Sequence, residues 1–134
     1  MFIYFFLSGV ASLSPWNTIL STLNYFDFYL HNYEPSFVFG FSVDFMQLSS
    51  MLAISILGGK LSYNFKIGGM YLILSVLVLV LPFWSYTIAN ERIAFILTIC
   101  TLLLFGLHSA IMQTANSAFC GTLPGEYIGI YFFG

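Results

Sequence analysis

The sequence predicts an all-α membrane protein of about four transmembrane helices, on three observations. Hydrophobic residues make up 60% of the chain and charged residues only 6%, where an ordinary soluble domain carries roughly a quarter charged. The few charges are gathered in clusters, with long apolar stretches between them. Within those stretches the polar residues recur every three or four positions, which is the period of a helix and not of a strand. The length of 134 residues would otherwise fit one small domain. A chain with so little polar surface could not cover itself in water, so composition overrides length.

The charged side chains are Asp27 and Glu34, Asp44, Lys60 and Lys66, Glu91 and Arg92, and Glu126. The first element is predicted over residues 2–26, because Met1 to Phe26 carries no charge and exceeds the roughly 20 residues that cross a hydrocarbon core. A cleaved signal peptide would instead need a basic start and an apolar core of about 7–15 residues. Neither Lys nor Arg occurs in the first 26 residues. The second element, over 36–59, is interrupted by Asp44, and its uninterrupted apolar part is 15 residues; its place between two strong spans favours crossing. Residues 67–89 and 93–122 form the third and fourth, within the charge-free runs Ile67–Asn90 and Ile93–Gly125. Beyond Pro124, residues 127–134 read as the start of a fifth helix, about 12 Å at roughly 1.5 Å per residue and too short to span.

Lys60 and Lys66 flank the connection between the second and third spans, which by the positive-inside rule places it in the cytoplasm. Both chain ends are then expected there too, with residues 27–36 and 89–92 outside. The net charge of −2 offers no basic patch, which removes nucleic acid as a partner. Cys100 and Cys120 fall in one predicted helix about 30 Å apart, so no disulfide joins them. No His/Cys cluster has metal-ligand spacing, and neither a metal nor a cofactor is expected.

Because lipid offers no hydrogen bonds, polar side chains inside a span tend to face a bundle interior or a water-filled path. Ser14, Asn17, Ser21 and Asn24 share one face of the first span, and Gln47, Met51, Ile54 and Gly58 one face of the second. Gly106, Ser109, Gln113, Asn116 and Cys120 do the same on the fourth. The third, Leu72 to Leu81, is a Leu/Val/Ile run broken only by Ser75. Spans one, two and four are therefore expected around a shared polar interior, with span three more exposed to lipid. Small and polar residues at this spacing also serve simply to pack helices. The amides Asn17 and Gln113 weigh more toward a site, since each brings several donors and acceptors that need partners. His108, one residue off the polar face, reads as a packed neutral histidine. Trp16 falls mid-span, away from the interfacial position usual for tryptophan, beside Pro15, which is expected to kink the helix.

Enzyme motifs are absent. Gly58-Gly59-Lys60 lacks the first glycine of a phosphate loop and has Leu61 where Ser or Thr is needed. There is no HExxH, no GxSxG and no pair of intramembrane carboxylates, so an enzyme is not expected.

Two stretches go further. Gly9-Val-Ala-Ser-Leu-Ser-Pro15-Trp16-Asn17, followed by Tyr25-Phe26, resembles the first helix of equilibrative nucleoside transporters, whose core there is Leu-Pro-Trp-Asn. Ser109-Ala-Ile-Met-Gln113-Thr-Ala-Asn-Ser-Ala-Phe-Cys-Gly121-Thr-Leu-Pro124-Gly-Glu-Tyr127 resembles that family's fourth helix and its Gly-x-x-Pro-x-x-Tyr ending. The resemblance runs over the whole chain but over only about four of the family's eleven helices. It implies part of a major-facilitator-like N-terminal bundle. It further implies a nucleoside or nucleobase held against Trp16, Leu20, Met51 and Ile54 and hydrogen-bonded by Gln113. Ser109 would be a neighbouring small-residue site, with Asn17, Pro15, Asn116 and Pro124 lining or structural. Ser14 stands where the family has Leu, and Asp44 where a neutral polar residue is expected, which raises the possibility of proton coupling.

The function implied is alternating-access transport of a nucleoside or nucleobase in the plasma membrane, with this chain a fragment or truncated form. The missing C-terminal helices, or another chain supplying them, would bring the Asp and Arg that contact the ribose in that family. The alternative is a non-transporting membrane subunit or assembly partner that kept the first helices.

Overall fold

The computed structural model describes residues 2–57 and 65–133, and among them the ordered elements are all helical. In chain order they are α1 (Phe2–Ser21), α2 (Leu23–Tyr29), a 3-10 turn (His31–Tyr33), α3 (Pro35–Leu57), a π turn (Phe65–Gly69), α4 (Met70–Thr87), α5 (Glu91–Gly121) and α6 (Gly125–Phe133). Three helical segments are long and apolar enough to cross a membrane: Pro35–Ile56, Phe65–Thr87 and Glu91–Gly121. They match the predicted second, third and fourth spans.

The predicted first span differs. Helix α1 is 20 residues long, but its serines, Pro15, Asn17 and Thr18 dilute its apolar character, and it is not among those three segments. Nor does it continue to residue 26. The helix runs through Pro15 and is interrupted at Thr22, which has φ −104° and ψ 10°. A run of hydroxyls here bonds back onto backbone carbonyls. Thr18 Oγ1 donates to the Ser14 carbonyl at 2.9 Å, Ser21 Oγ to the Thr18 carbonyl at 2.9 Å, and Thr22 Oγ1 to the Thr18 and Ile19 carbonyls at 3.0 and 3.1 Å.

Elsewhere the ends are set by local chemistry. Glu34 adopts the left-handed conformation, with φ 45° and ψ 60°, and Pro35 then opens α3 at the position where its missing N–H costs least. Asn90 caps α5, its side-chain oxygen accepting from the backbone N–H groups of Arg92 and Ile93 at 3.1 and 3.4 Å. The Glu91 carboxylate follows in the first turn, where the helix dipole favours it. It accepts hydrogen bonds from the Asn32 backbone and side chain at 3.1 and 2.6 Å, which ties the 3-10 turn to the start of α5. Tyr33 stacks on Phe95 beside this joint, ring centroids 4.4 Å apart.

Helix α5 is central, with α3 and α4 both packed along it. The core between them contains Phe39, Val43, Leu74, Leu81, Leu102, Phe105 and Met112. Gly106 sets the α3–α5 separation: a Cβ there would lie 2.8 Å from the Val43 carbonyl oxygen and 3.1 Å from Met46 Cβ. Helix α1 packs mainly on α6, through a smaller cluster of Phe5, Cys120 and Tyr131. The expected start of a fifth helix at 127 thus begins at Gly125 and already holds α1.

The third span is not merely a lipid-facing run. Met70, Leu74 and Leu81 of α4 are buried, and Trp84 Nε1 donates to Thr101 Oγ1 of α5 at 3.0 Å. Its outer side, with Leu72 and Leu79 exposed, is the part that matches the expectation.

Candidate functional site

The polar face predicted on the fourth span lies inward on α5. Gly106, Ser109, Asn116 and Cys120 are buried, and Gln113 is half-buried. Gln113 meets the second span directly: Gln47 Nε2 of α3 donates to Gln113 Oε1 at 2.9 Å. A side-chain amide has a second donor pair and further acceptor capacity, so this bond fixes one end of Gln113 and leaves its NH2 group for another partner. Met51 and Ile54, one and two turns beyond Gln47, are half-buried on the same side of α3. Gly58, the fourth residue of that face, lies outside the described residues, as does Lys60.

On its other side Gln113 borders a cleft of about 260 Å3 between α1, α5 and α6, lined by Gly9, Ser12, Leu13, Gln113, Ser117, Tyr131 and Phe132. That is slightly below the roughly 300–1,000 Å3 common for small-molecule sites. Its chemistry is mixed, with two hydroxyl residues from α5 and α1, an amide, a phenol and apolar walls. Trp16 is one helical turn beyond Ser12 on α1, half-buried and packed against the main core. Trp16 and Gln113 are both half-buried, but Trp16 is not among the residues that line the cleft bordered by Gln113.

Helix α1 departs from expectation in its facing. Ser14, Asn17, Ser21 and Asn24 are all exposed, as is Leu20, whereas the buried residues of α1 are Phe5, Ser8, Gly9, Ser12 and Ile19. The stripe of polar residues that was expected to point at spans two and four instead lines an open groove, with Ser14, Asn17, Thr18 and Ser21 on its walls. Serine spacing alone did not distinguish the two faces, since Ser8 and Ser12 form a second stripe on the other side. Pro15 is half-buried and Pro124 exposed, the latter in the turn between α5 and α6.

Ser8 and Ser12 belong to a polar knot that sequence patterning missed. The Tyr71 hydroxyl of α4 donates to the Ser8 carbonyl at 2.9 Å and lies 3.0 Å from Ser8 Oγ. It also accepts from Asn116 Nδ2 at 3.3 Å. Ser12 Oγ donates to the Ser8 carbonyl at 2.8 Å and lies 3.1 Å from the Tyr131 hydroxyl. Asn116 is thereby engaged in joining α1, α4, α5 and α6 rather than facing the cleft, which fits a structural role. Ser109 is buried against the core. His108 is half-buried, its Nδ1 2.7 Å from the Leu104 carbonyl oxygen, a contact that places the ring proton on Nδ1.

Among the described residues no group of His, Cys, Asp and Glu is placed to hold a metal ion. Both cysteines are free, Cys100 exposed and Cys120 buried. Comparison with protein-family models, curated proteins and solved structures gives no match for this chain.

Proposed function

We propose that this chain is the N-terminal portion of an equilibrative, major-facilitator-like carrier that moves nucleosides or nucleobases across a membrane by alternating access. In that arrangement α1, α3, α4 and α5 are the first four crossings, α1 included. The observation that carries the proposal is Gln113: an amide in the C-terminal half of the central helix, oriented by Gln47 and bordering a cleft shared with α1. A nucleobase edge is a planar array of donors and acceptors, and the free NH2 group of a held glutamine is a suitable partner for one of its acceptors. Trp16, Leu20, Met51 and Ile54 lie outside the lining of that cleft, and in this reading they supply apolar and aromatic surface to the base only in the complete carrier. The exposed stripe Ser14, Asn17 and Ser21 then faces the water-filled path, closed on its far side by further helices. Transport of this kind needs no covalent step, because two bundles rock about a central site.

The test is uptake of labelled nucleoside into vesicles by a carrier containing this segment. Saturable uptake that falls at least tenfold in Gln113→Ala supports the proposal, and undiminished uptake in that variant removes Gln113 from the site. Absence of nucleoside binding, together with constant association with unrelated subunits, would favour an assembly partner instead.

A further inference from the structure

We infer that the Asp44 face of α3 is an interface for a partner transmembrane helix that carries a lysine or arginine at matching depth. Asp44 is the tenth residue of a 23-residue helix that opens at Pro35, so it lies about 14 Å along a rod of about 35 Å at roughly 1.5 Å per residue. The helix is one of the three segments long and apolar enough to cross a membrane, and in a helix that crosses, a residue at that position lies inside the hydrocarbon. Its side chain is exposed, and among the described residues it has no hydrogen bond or ion pair.

The surroundings offer it nothing. Phe41 and Leu48, one turn to either side, are 61% and 63% exposed, and the adjacent Phe45 is 59% exposed. The Ser49 hydroxyl, five residues on, is occupied, its Oγ donating to the Phe45 carbonyl at 2.8 Å. An unpaired carboxyl group facing acyl chains is costly, and ionisable residues inside spans are generally paired or turned to a water-filled cavity.

The sign of the partner follows from charge. The sequence has three basic residues, Lys60, Lys66 and Arg92, and each falls at the end of an apolar run in the sequence. A second copy would bring another Asp44 to the same level and oppose like charges in a low dielectric. A basic side chain removes the repulsion and satisfies the carboxylate. The aromatic wall favours it as well: Phe37, Phe41 and Phe45 form a stacked ladder with centroids 6.3 and 5.9 Å apart, and ring faces attract cations. This interface does not depend on whether the chain transports a nucleoside.

The experiment uses the 134-residue chain, donor-labelled and reconstituted in phosphatidylcholine vesicles. The probes are acceptor-labelled synthetic leucine helices of about 23 residues, with either arginine or leucine at the centre. Energy transfer should show the arginine helix binding about tenfold more tightly than the all-leucine helix, the order that polar contacts between membrane helices support. Asp44→Leu should abolish the difference and Asp44→Glu retain it. Equal binding of the two probes to the unaltered chain would overturn the inference. So would a preference for arginine that survives Asp44→Leu, or Asp44-dependent self-association in place of probe binding.

Discussion

Gln47 and Gln113 face each other across the α3–α5 seam, the NH2 group of one donating to the carbonyl oxygen of the other at 2.9 Å. The bond lies between two helices that approach closely enough for Gly106 to touch the α3 backbone. Position and orientation of Gln113 are thus fixed before any solute arrives, and pre-organised polar groups discriminate among ligands more sharply than mobile ones.

Gln47→Leu should therefore weaken nucleoside handling through Gln113 without removing it. The expected outcome is a rise of several-fold in the half-saturation concentration for uptake, smaller than the loss in Gln113→Ala, because one intramolecular hydrogen bond is worth about 1 kcal/mol net. Equal losses in the two variants would place Gln47 itself on the solute.

Gly106 gives a packing prediction with an internal control. Gly106→Val drives side-chain atoms into the Val43 carbonyl and Met46, so α3 and α5 must separate, at a cost of about 1–3 kcal/mol. Gly40→Ala, where an added Cβ meets nothing within 4 Å, should be neutral or slightly stabilising in its helix. Thermal unfolding in detergent, followed by helical circular dichroism, compares the two.

Tyr71→Phe removes the hydroxyl shared by Ser8 and Asn116. Leaving the buried Asn116 amide without this acceptor should cost about 1–2 kcal/mol. The same thermal measurement detects it, and Tyr71→Phe combined with Asn116→Leu should recover part of the loss, since the orphaned amide is then gone.

Water should reach the outward stripe of α1 if it lines a path. In a cysteine-free background, Asn17→Cys is expected to react with a charged, membrane-impermeant thiol reagent more than tenfold faster than Leu79→Cys, since the thiolate forms only where water solvates it. Leu79 is 75% exposed on α4 and serves as the lipid-facing reference. Equal, slow labelling at both positions would place the α1 stripe in lipid.

Much of the fold was legible because absence of charge over 20 or so residues has one main physical meaning. The central segments, roughly 36–59, 67–89 and 93–122, were placed on that basis. The ends of α5 differed by only one or two residues from expectation. What patterning could not reach was anything decided by tertiary contact. Tyr71 sits in the first turn of α4 and carries no periodic signal; its hydroxyl matters because α1 and α5 happen to meet it. Helix α1 bears serines on both sides, so periodicity identified a polar face without saying that the Ser8–Ser12 side is the buried one. The interruption at Thr22, where the hydroxyl bonds back onto its own helix, carries no signal in the sequence as conspicuous as Pro15, through which the helix runs.

The amide of Gln113 borders a cleft with α1, and Trp16, one turn beyond Ser12 of that cleft on α1, reports on its surroundings. With Trp84→Phe, Trp16 is the one remaining indole, since the chain has two tryptophans. Titrating an uncharged nucleoside into vesicles containing this protein should change Trp16 fluorescence saturably, and Gln113→Ala should abolish the change. An emission spectrum indifferent to nucleoside, or an equal response with and without the Gln113 amide, would contradict the role proposed for Gln113.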